Sequence, residues 1–219
     1  MAGRIHVIRH AEAIHNITKD FTLHDPGLTP LGKSQASALP QTFPHAHKIG
    51  LIISSPLRRT IQTTLLAFSH VLDKSYYPDS QGGIPNGAKL VLDPKLQERS
   101  AEPCDTGSTR EILGKEFPGL EFGVLDEGWI EKARFYAVDD GSVEERARRV
   151  RGELKGYVEE LRRREGGRER RDVVVVTHGV FMRFLVGDQG FDLPKAEWKS
   201  FYVEEGNGGS ILVPVGGGD

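Results

Sequence analysis

Two histidines each follow an apolar run that is typical of a buried strand. His10 comes directly after Ile5–Arg9, and His178 comes directly after the valine-rich run 173–177. In an open α/β sheet, ligands bind outside the carboxyl ends of the strands, so we expect both imidazoles to face a substrate. Arg9 stands beside His10. A histidine flanked by an arginine and opposed by a second histidine suits attack on an anionic group such as a phosphoryl group.

Composition limits the class of protein. The chain has 219 residues, 27% of them charged, and a formal net charge of -2, so nothing calls for nucleic acid or an anionic membrane as a partner. Cys104 is the single cysteine, which excludes an intrachain disulfide. The apolar runs are too short for a transmembrane helix, and the first strand leaves no room for a signal peptide. We therefore expect a cytoplasmic protein, and the oligomeric state is left open.

The alternation of strand-like and helical patterns predicts an α/β fold, namely a three-layer α/β/α sandwich with a mostly parallel central sheet. Further strands are predicted over 49–54, 89–93 and, at an edge, 210–215. Helices are predicted over 30–39, 57–72, 108–117, 142–161 and 180–186. Ser142 and Glu145 have the spacing of a capping box at the start of the fourth helix. We interpret residues 1–219 as one domain in which 75–141 is an inserted cap over the active site.

Four short motifs follow one another along the chain. They are Arg9-His10-Ala11-Glu12 with Asn16 downstream, 54–63 with Arg59, Leu96-Gln97-Glu98-Arg99, and Thr177-His178-Gly179. In this order they resemble the motifs of the histidine phosphatase superfamily, in its phosphoglycerate mutase-like branch, over most of the chain. Ala11 stands where that family usually has glycine. The segment after Glu98 is similar to a fungal-type phosphatase subgroup rather than to the glycolytic mutases.

The resemblance implies a metal-independent phosphomonoesterase that acts on a small phosphorylated metabolite without a cofactor. It implies His10, Glu98 and His178 as catalytic residues. It implies a set of phosphate-binding residues, namely Arg9, Asn16, Arg59 and His178. His10 would form a phosphohistidine by in-line displacement, while cationic side chains supply the charge that a metal would otherwise provide. Glu98 would protonate the leaving oxygen and then activate water, a double role that calls for partial burial.

Other functions are left open by the residues alone. A mutase would have to hold a multiply charged bisphosphate, whereas the predicted cap is rich in acidic residues, so hydrolysis is favoured over phosphoryl transfer. Residues 27–34 fit the P-loop pattern of a nucleotide hydrolase, but no buried strand leads into them and Pro30 removes a backbone donor. A binding protein on the same fold is a third alternative. Trp129, Phe135 and Tyr136 could line an apolar subsite or could simply pack.

Overall fold

A computed structural model describes residues 3–164 and 169–216. In this part of the chain, one sheet is formed by β1 (Ile5–Arg9), β2 (Ile49–Ser54), β3 (Lys89–Leu92), β4 (Asp172–Thr177), β5 (Trp198–Gly206) and β6 (Gly209–Pro214). Their order across the sheet is β3-β2-β4-β1-β5-β6. Strands β3, β2, β4 and β1 run parallel to one another. Strand β5 is antiparallel to β1, and β6 is antiparallel to β5. The mostly parallel sheet and the edge position of the last strand are confirmed.

Five of the six α-helices in the described residues lie close to their predicted positions, whereas the short α1 was not predicted. They are α1 (Ile14–Thr18), α2 (Pro30–Thr42), α3 (Arg58–Phe68), α4 (Arg110–Glu116), α5 (Asp140–Arg163) and α6 (Gly179–Val186). The end of the predicted helix 57–72 is a separate short 3-10 turn, Ser69–Val71. No helix of the described residues is long and apolar enough to cross a membrane.

The valines of β4 show how the sheet is covered on both faces. Val173 and Val175 contact one core together with residues of α5 and α6, and Val174 and Val176 contact another with residues of α2 and α3. All four valines are fully buried. A parallel strand that is covered on both faces needs such a continuous apolar run. The predicted three-layer α/β/α arrangement is therefore present.

Helix α5 begins two residues before Ser142, and its predicted capping box is wrong. The carboxylate of Asp139 accepts hydrogen bonds from the backbone N–H and the hydroxyl of Ser142, at 3.0 and 2.7 Å. Aspartate is itself a preferred N-cap residue, so Asp139 takes this position and Ser142 becomes its partner. Glu145 instead pairs with Arg148 and Arg149 on the exposed face.

The start of α2 excludes the P-loop alternative. Thr29 is the N-cap residue, and its hydroxyl accepts a hydrogen bond from the Gly32 N–H at 2.9 Å. Residues 19–27 lead into it as turns and irregular chain rather than as a strand. A P-loop connects a buried strand to a helix and presents its backbone donors to phosphate, and this segment does neither.

The predicted cap, 75–141, contains β3, which pairs with β2 in the central sheet. Most of the remaining segment consists of α4 and short turns. Trp129 is 1% exposed and packs in an apolar cluster with Leu57 and Ile61 of α3. Phe135 and Tyr136 pack edge to face on each other, with ring centroids 5.3 Å apart. These aromatic residues therefore pack, and none of them lines the pocket at the strand ends.

Leu154 tests the dependence of the fold on the core beneath α5. Its side chain is fully buried, so Leu154→Ala should lower the free energy of unfolding by about 2 to 5 kcal/mol through lost burial and the cavity left behind. Leu66 of α3 is 38% exposed, and Leu66→Ala should change stability by less than about 0.5 kcal/mol. Urea unfolding measures both. Equal effects of the two substitutions would contradict the assignment of this core.

Candidate active site

The pairing of β1 with β4 brings the two sequence-predicted histidines together. Arg9, the last residue of β1, is in register with Thr177, the last residue of β4. His10 and His178 are therefore the next residues on neighbouring parallel strands. Their ring centroids lie 5.1 Å apart, and both side chains are buried. The backbone N–H of His10 also donates to the Thr177 carbonyl at 3.0 Å, which extends the pairing by one residue.

One hydrogen bond decides which nitrogen of His10 is free. Nδ1 lies 2.7 Å from the backbone oxygen of Ala11. Because a carbonyl oxygen only accepts, Nδ1 carries the proton, and Nε2 keeps its lone pair when the ring is neutral. Burial, together with the charges of Lys195 and Arg59, lowers the pKa of His10 well below 6.5. His10 is therefore neutral at pH 7, with a nucleophilic nitrogen available.

A residue at the end of the neighbouring strand β2 orients the ring of His178. Its Nε2 lies 2.8 Å from the hydroxyl of Ser55, the residue that follows β2. Its Nδ1 is buried and has no hydrogen-bond partner within 3–164 and 169–216. Burial and the charge of Arg59 lower the pKa of His178 well below its usual value. A neutral ring with one unpartnered nitrogen can donate to, or accept from, a group bound beside His10.

The two arginines are positioned by carboxylates and backbone oxygens. Arg9 donates through Nη1 to Asp192 at 2.7 Å. Arg59 donates through Nη1 to the Cys104 carbonyl at 2.6 Å and through Nη2 to Asp105 at 2.7 Å. The Nε of each arginine is buried without a partner in the described chain. These contacts orient both guanidinium groups and leave donors free for an anion.

Gly179 lets Arg9 approach the start of α6. A Cβ atom at position 179 would lie 2.7 Å from Nη2 of Arg9, which is too close. A side chain at position 179 would therefore displace the guanidinium group of Arg9, and glycine leaves that group in place. By contrast, Ala11 fits its position, because its methyl group packs with Ala13, Leu28 and Ala36 in a buried cluster.

Glu98 lies at the amino-terminal end of α6. Its Oε1 accepts from the N–H groups of Phe181 at 2.9 Å and Arg99 at 2.7 Å, and its Oε2 accepts from Val180 at 3.0 Å. The side chain is 8% exposed. Lys132 also donates to the backbone oxygen of Glu98 at 2.8 Å. The carboxyl group is therefore buried and fixed in orientation, and Oε2, which accepts one hydrogen bond, keeps a second lone pair free.

A pocket of about 370 Å³ brings together all the site residues predicted from the sequence except His178. It is lined by Arg9, His10, Asn16, Arg59 and Glu98, and also by His15, Phe21, Ser100, Glu102, Cys104, Asp105, Gly179 and Lys195. His178 is fully buried, and its ring contacts that of His10. Asn16 accepts from the Ala13 N–H at 3.0 Å and donates to His15 Nε2 at 2.9 Å, which leaves one amide hydrogen for a ligand. Arg58, the neighbour of Arg59, points away and pairs with Glu116.

Sequence reasoning missed Lys195, Asp105 and Ser100 in this pocket. Asp105 accepts from Ser100 at 2.6 Å as well as from Arg59, so it positions the arginine from the predicted cap. Ser100 and Asp105 lie in the segment after Glu98 that resembles the fungal-type subgroup, but that resemblance gave them no role. Lys195 belongs to no motif quoted from the sequence, and a position in an irregular segment near a strand end is shared by many solvated residues.

Three side chains of this pocket could in principle hold a metal ion. Ligand atoms of His15, Cys104 and Asp105 lie within 4.8 Å of one another. However, burial, the negative charge of Asp105 and other effects raise the pKa of the Cys104 thiol to about 12. Asp105 is already engaged by Arg59, whose charge opposes a cation. The expectation that catalysis needs no metal stays a prediction.

The sequence profile of the histidine phosphatase superfamily (branch 1) matches residues 5–217. The chain therefore belongs to the histidine phosphatase superfamily, and the resemblance indicated by its motifs is confirmed.

Relatives and solved structures agree with the family. A probable phosphatase of Schizosaccharomyces pombe is 29% identical over 187 residues, covering 83% of this chain and 76% of that protein. A phosphoglycerate mutase-like protein of Arabidopsis thaliana is 25% identical over 217 residues, covering 86% and 75%. The structure of a mycobacterial glucosyl-3-phosphoglycerate phosphatase with VO3 has a TM-score of 0.59 and 20% identity, over 97% of both chains. The structural likeness shows the fold, and the family and relatives support a phosphatase enzyme.

The protonation of His10 can be measured directly. Because burial lowers its pKa well below 6.5, the ring should stay neutral as the pH falls from about 8 to about 6, and should protonate only below that range. Histidine NMR of the unliganded protein, with the His10 signal assigned from its loss in His10→Ala, checks this. A His10 signal that is half shifted near pH 6.5 would contradict a buried, neutral nucleophile.

Proposed function

We propose that this protein hydrolyses the phosphate monoester of a small metabolite through a phosphohistidine formed on His10. The observation that carries the proposal is the hydrogen bond from His10 Nδ1 to the Ala11 carbonyl, at 2.7 Å in a buried pocket. It leaves Nε2 as the reactive nitrogen, beside guanidinium groups with unused donors. A neutral imidazole among oriented cations suits in-line attack on a phosphate dianion.

In the first step, Nε2 of His10 forms a bond to phosphorus while the bond from phosphorus to the leaving oxygen breaks. Arg9, Arg59, Asn16 and His178 bind the nonbridging oxygens through their free donors. Glu98 gives its proton to the leaving oxygen, so the alcohol departs neutral. The three backbone donors on its carboxyl group keep the group oriented.

In the second step, water attacks the phosphorus of the phosphohistidine. The Glu98 carboxylate now accepts a proton from this water, and the bond between phosphorus and Nε2 breaks. Inorganic phosphate leaves, the His10 ring regains its lone pair, and Glu98 is again protonated for the next turnover. The two steps use one carboxyl group first as acid and then as base.

Hydrolysis is favoured over mutase-type transfer by the charges at the pocket mouth. A mutase must hold a second phosphate beside the first, and here the carboxylate of Glu102 lines the pocket. Its negative charge opposes a second phosphate group in that position. A purely binding role is disfavoured because all the residues that the chemistry requires are present and converge.

We also propose a small ligand rather than a macromolecule as the partner of this pocket. Its volume of about 370 Å³ lies in the range for metabolite-sized ligands. The cytoplasmic location and the absence of a nucleic-acid partner, both expected from the sequence, stay predictions.

A panel of phosphate monoesters tests the proposed function. Wild-type protein should release inorganic phosphate from several of them, equally well with and without a chelator, because no step uses a metal. His10→Ala should release none while it keeps the thermal unfolding midpoint close to that of the wild type. Substantial activity in His10→Ala would contradict the proposal, and loss of wild-type activity in the chelator would show that a metal is required.

Glu98→Gln separates acid catalysis from phosphate binding. For alkyl phosphates, whose leaving groups need a proton, kcat/KM should fall by about 10² to 10⁴. For p-nitrophenyl phosphate, whose leaving group departs unprotonated, the fall in kcat/KM should be much smaller. Glu102→Gln, also at the pocket, is the matched control and should affect both esters mildly. Equal large losses on both esters would mean that Glu98 binds substrate or holds the start of α6 instead.

A further inference from the structure

Lys195 lies in the loop between α6 and β5, one residue from a contact with the end of β1. The N–H of Ala196 donates to the backbone oxygen of Arg9 at 3.2 Å, and the N–H of Arg9 donates to Glu197 at 3.1 Å. Two backbone hydrogen bonds therefore join this loop to Arg9, the residue that precedes His10. The side chain of Lys195 lines the same pocket as His10 and Arg59.

Lys195 differs from the other cations of the pocket in having no anionic partner. Arg9 is paired with Asp192, and Arg59 with Asp105, both at 2.7 Å. Lys195 makes no ion pair or hydrogen bond to any residue that the structure describes. Burial and the charges of Arg9 and Arg59 lower the pKa of Lys195 to about 7. The carboxylates of Glu98 and Asp192 oppose this lowering only in part. The ammonium group of Lys195 therefore has no contacting counter-charge among the described residues.

The electrostatic effect of Lys195 on His10 indicates where this counter-charge would lie. Among the charged groups that lower the pKa of His10, Lys195 contributes most, ahead of Arg59 and Arg9. Lys195 and His10 also line the same pocket. A phosphoryl group attacked by Nε2 of His10 would lie in that pocket, where the charge of Lys195 acts on it.

We propose that Lys195 is a phosphate-binding residue, whose ammonium group binds a nonbridging oxygen of the phosphoryl group before and after its transfer to His10. This proposal rests on the proposed function and extends it. Since each arginine is already offset by a carboxylate, Lys195 is the cation that balances the charge of the bound anion. The pocket then favours a dianionic monoester over a monoanionic diester, because only the monoester brings the second negative charge.

The affinity for inorganic phosphate tests the role of Lys195. Lys195→Met keeps the length of the side chain and removes the charge, and we expect phosphate binding, measured by calorimetry, to weaken by about tenfold or more. Lys195→Arg should keep most of the affinity. Lys199 of β5 is exposed, and Lys199→Met is the matched control, expected to change the affinity by less than about twofold. If Lys195→Met does not fold, Lys195→Gln in the same titration decides.

Kinetics and unfolding distinguish binding from a structural role. With p-nitrophenyl phosphate, kcat/KM of Lys195→Met should fall with the phosphate affinity. Its thermal unfolding midpoint should stay at or above that of the wild type, because a half-buried charge without an ion-pair partner is removed. Phosphate affinity unchanged in both Lys195→Met and Lys195→Gln, in an enzyme that hydrolyses esters, would overturn the role of Lys195. A different result would separate the two proposals. If phosphate binding depends on Lys195 but the protein hydrolyses no ester, the proposed function is wrong and the role of Lys195 in phosphate binding stands.

Discussion

The parallel register between β1 and β4 is the constraint on which the rest of the site depends. Because Arg9 is paired with Thr177, the next residue on each strand is a histidine at the same edge of the sheet. The carboxyl ends of β2 and β3 then reach the same edge, where Ser55 contacts His178 and the chain continues to Glu98. A shift of one residue between two of these strands would turn one histidine into the core. Core packing on both faces of the sheet thus fixes the strand register, and the register fixes the relative positions of His10 and His178.

Burial of this edge gives the pocket its electrostatic character. The imidazoles are kept neutral by burial and by nearby cations, while the arginines keep their orientation through carboxylates at their outer nitrogens. Three side chains, those of Arg9, Arg59 and His178, each keep one buried nitrogen without a hydrogen-bond partner among the described residues. The ammonium group of Lys195 likewise has no ion-pair partner there. Such donors cost free energy when they are buried empty and are satisfied by an anion. Under the proposed function, these donors are already oriented for a phosphate group before it binds.

The sequence predicts those helices and strands whose hydrophobic pattern lies within the element itself. Strands β2 and β4 are clear from their β-branched runs, and the strand ends point to His10 and His178. Asp139 was missed as the cap of α5 because Ser142 offered an equally good local pattern, and only the folded chain decides between them. Strand β5 was not predicted because polar and charged residues interrupt its sequence WKSFYVEEG, which contains neither a long apolar run nor a regular alternation. Lys195 could not be predicted at all, since it reaches the pocket of His10 only through the contact between its loop and the end of β1.

The most direct test of the central claim is to trap the covalent intermediate. After rapid mixing with p-nitrophenyl phosphate and an alkaline quench, mass spectrometry of the digested protein should find one phosphoryl group on the peptide that contains His10. The modification should be stable in alkali and labile in acid, and it should be absent from His10→Ala. A phosphoryl group found on another residue would contradict His10 as the nucleophile. So would an active enzyme that shows neither a trapped intermediate nor a pre-steady-state burst.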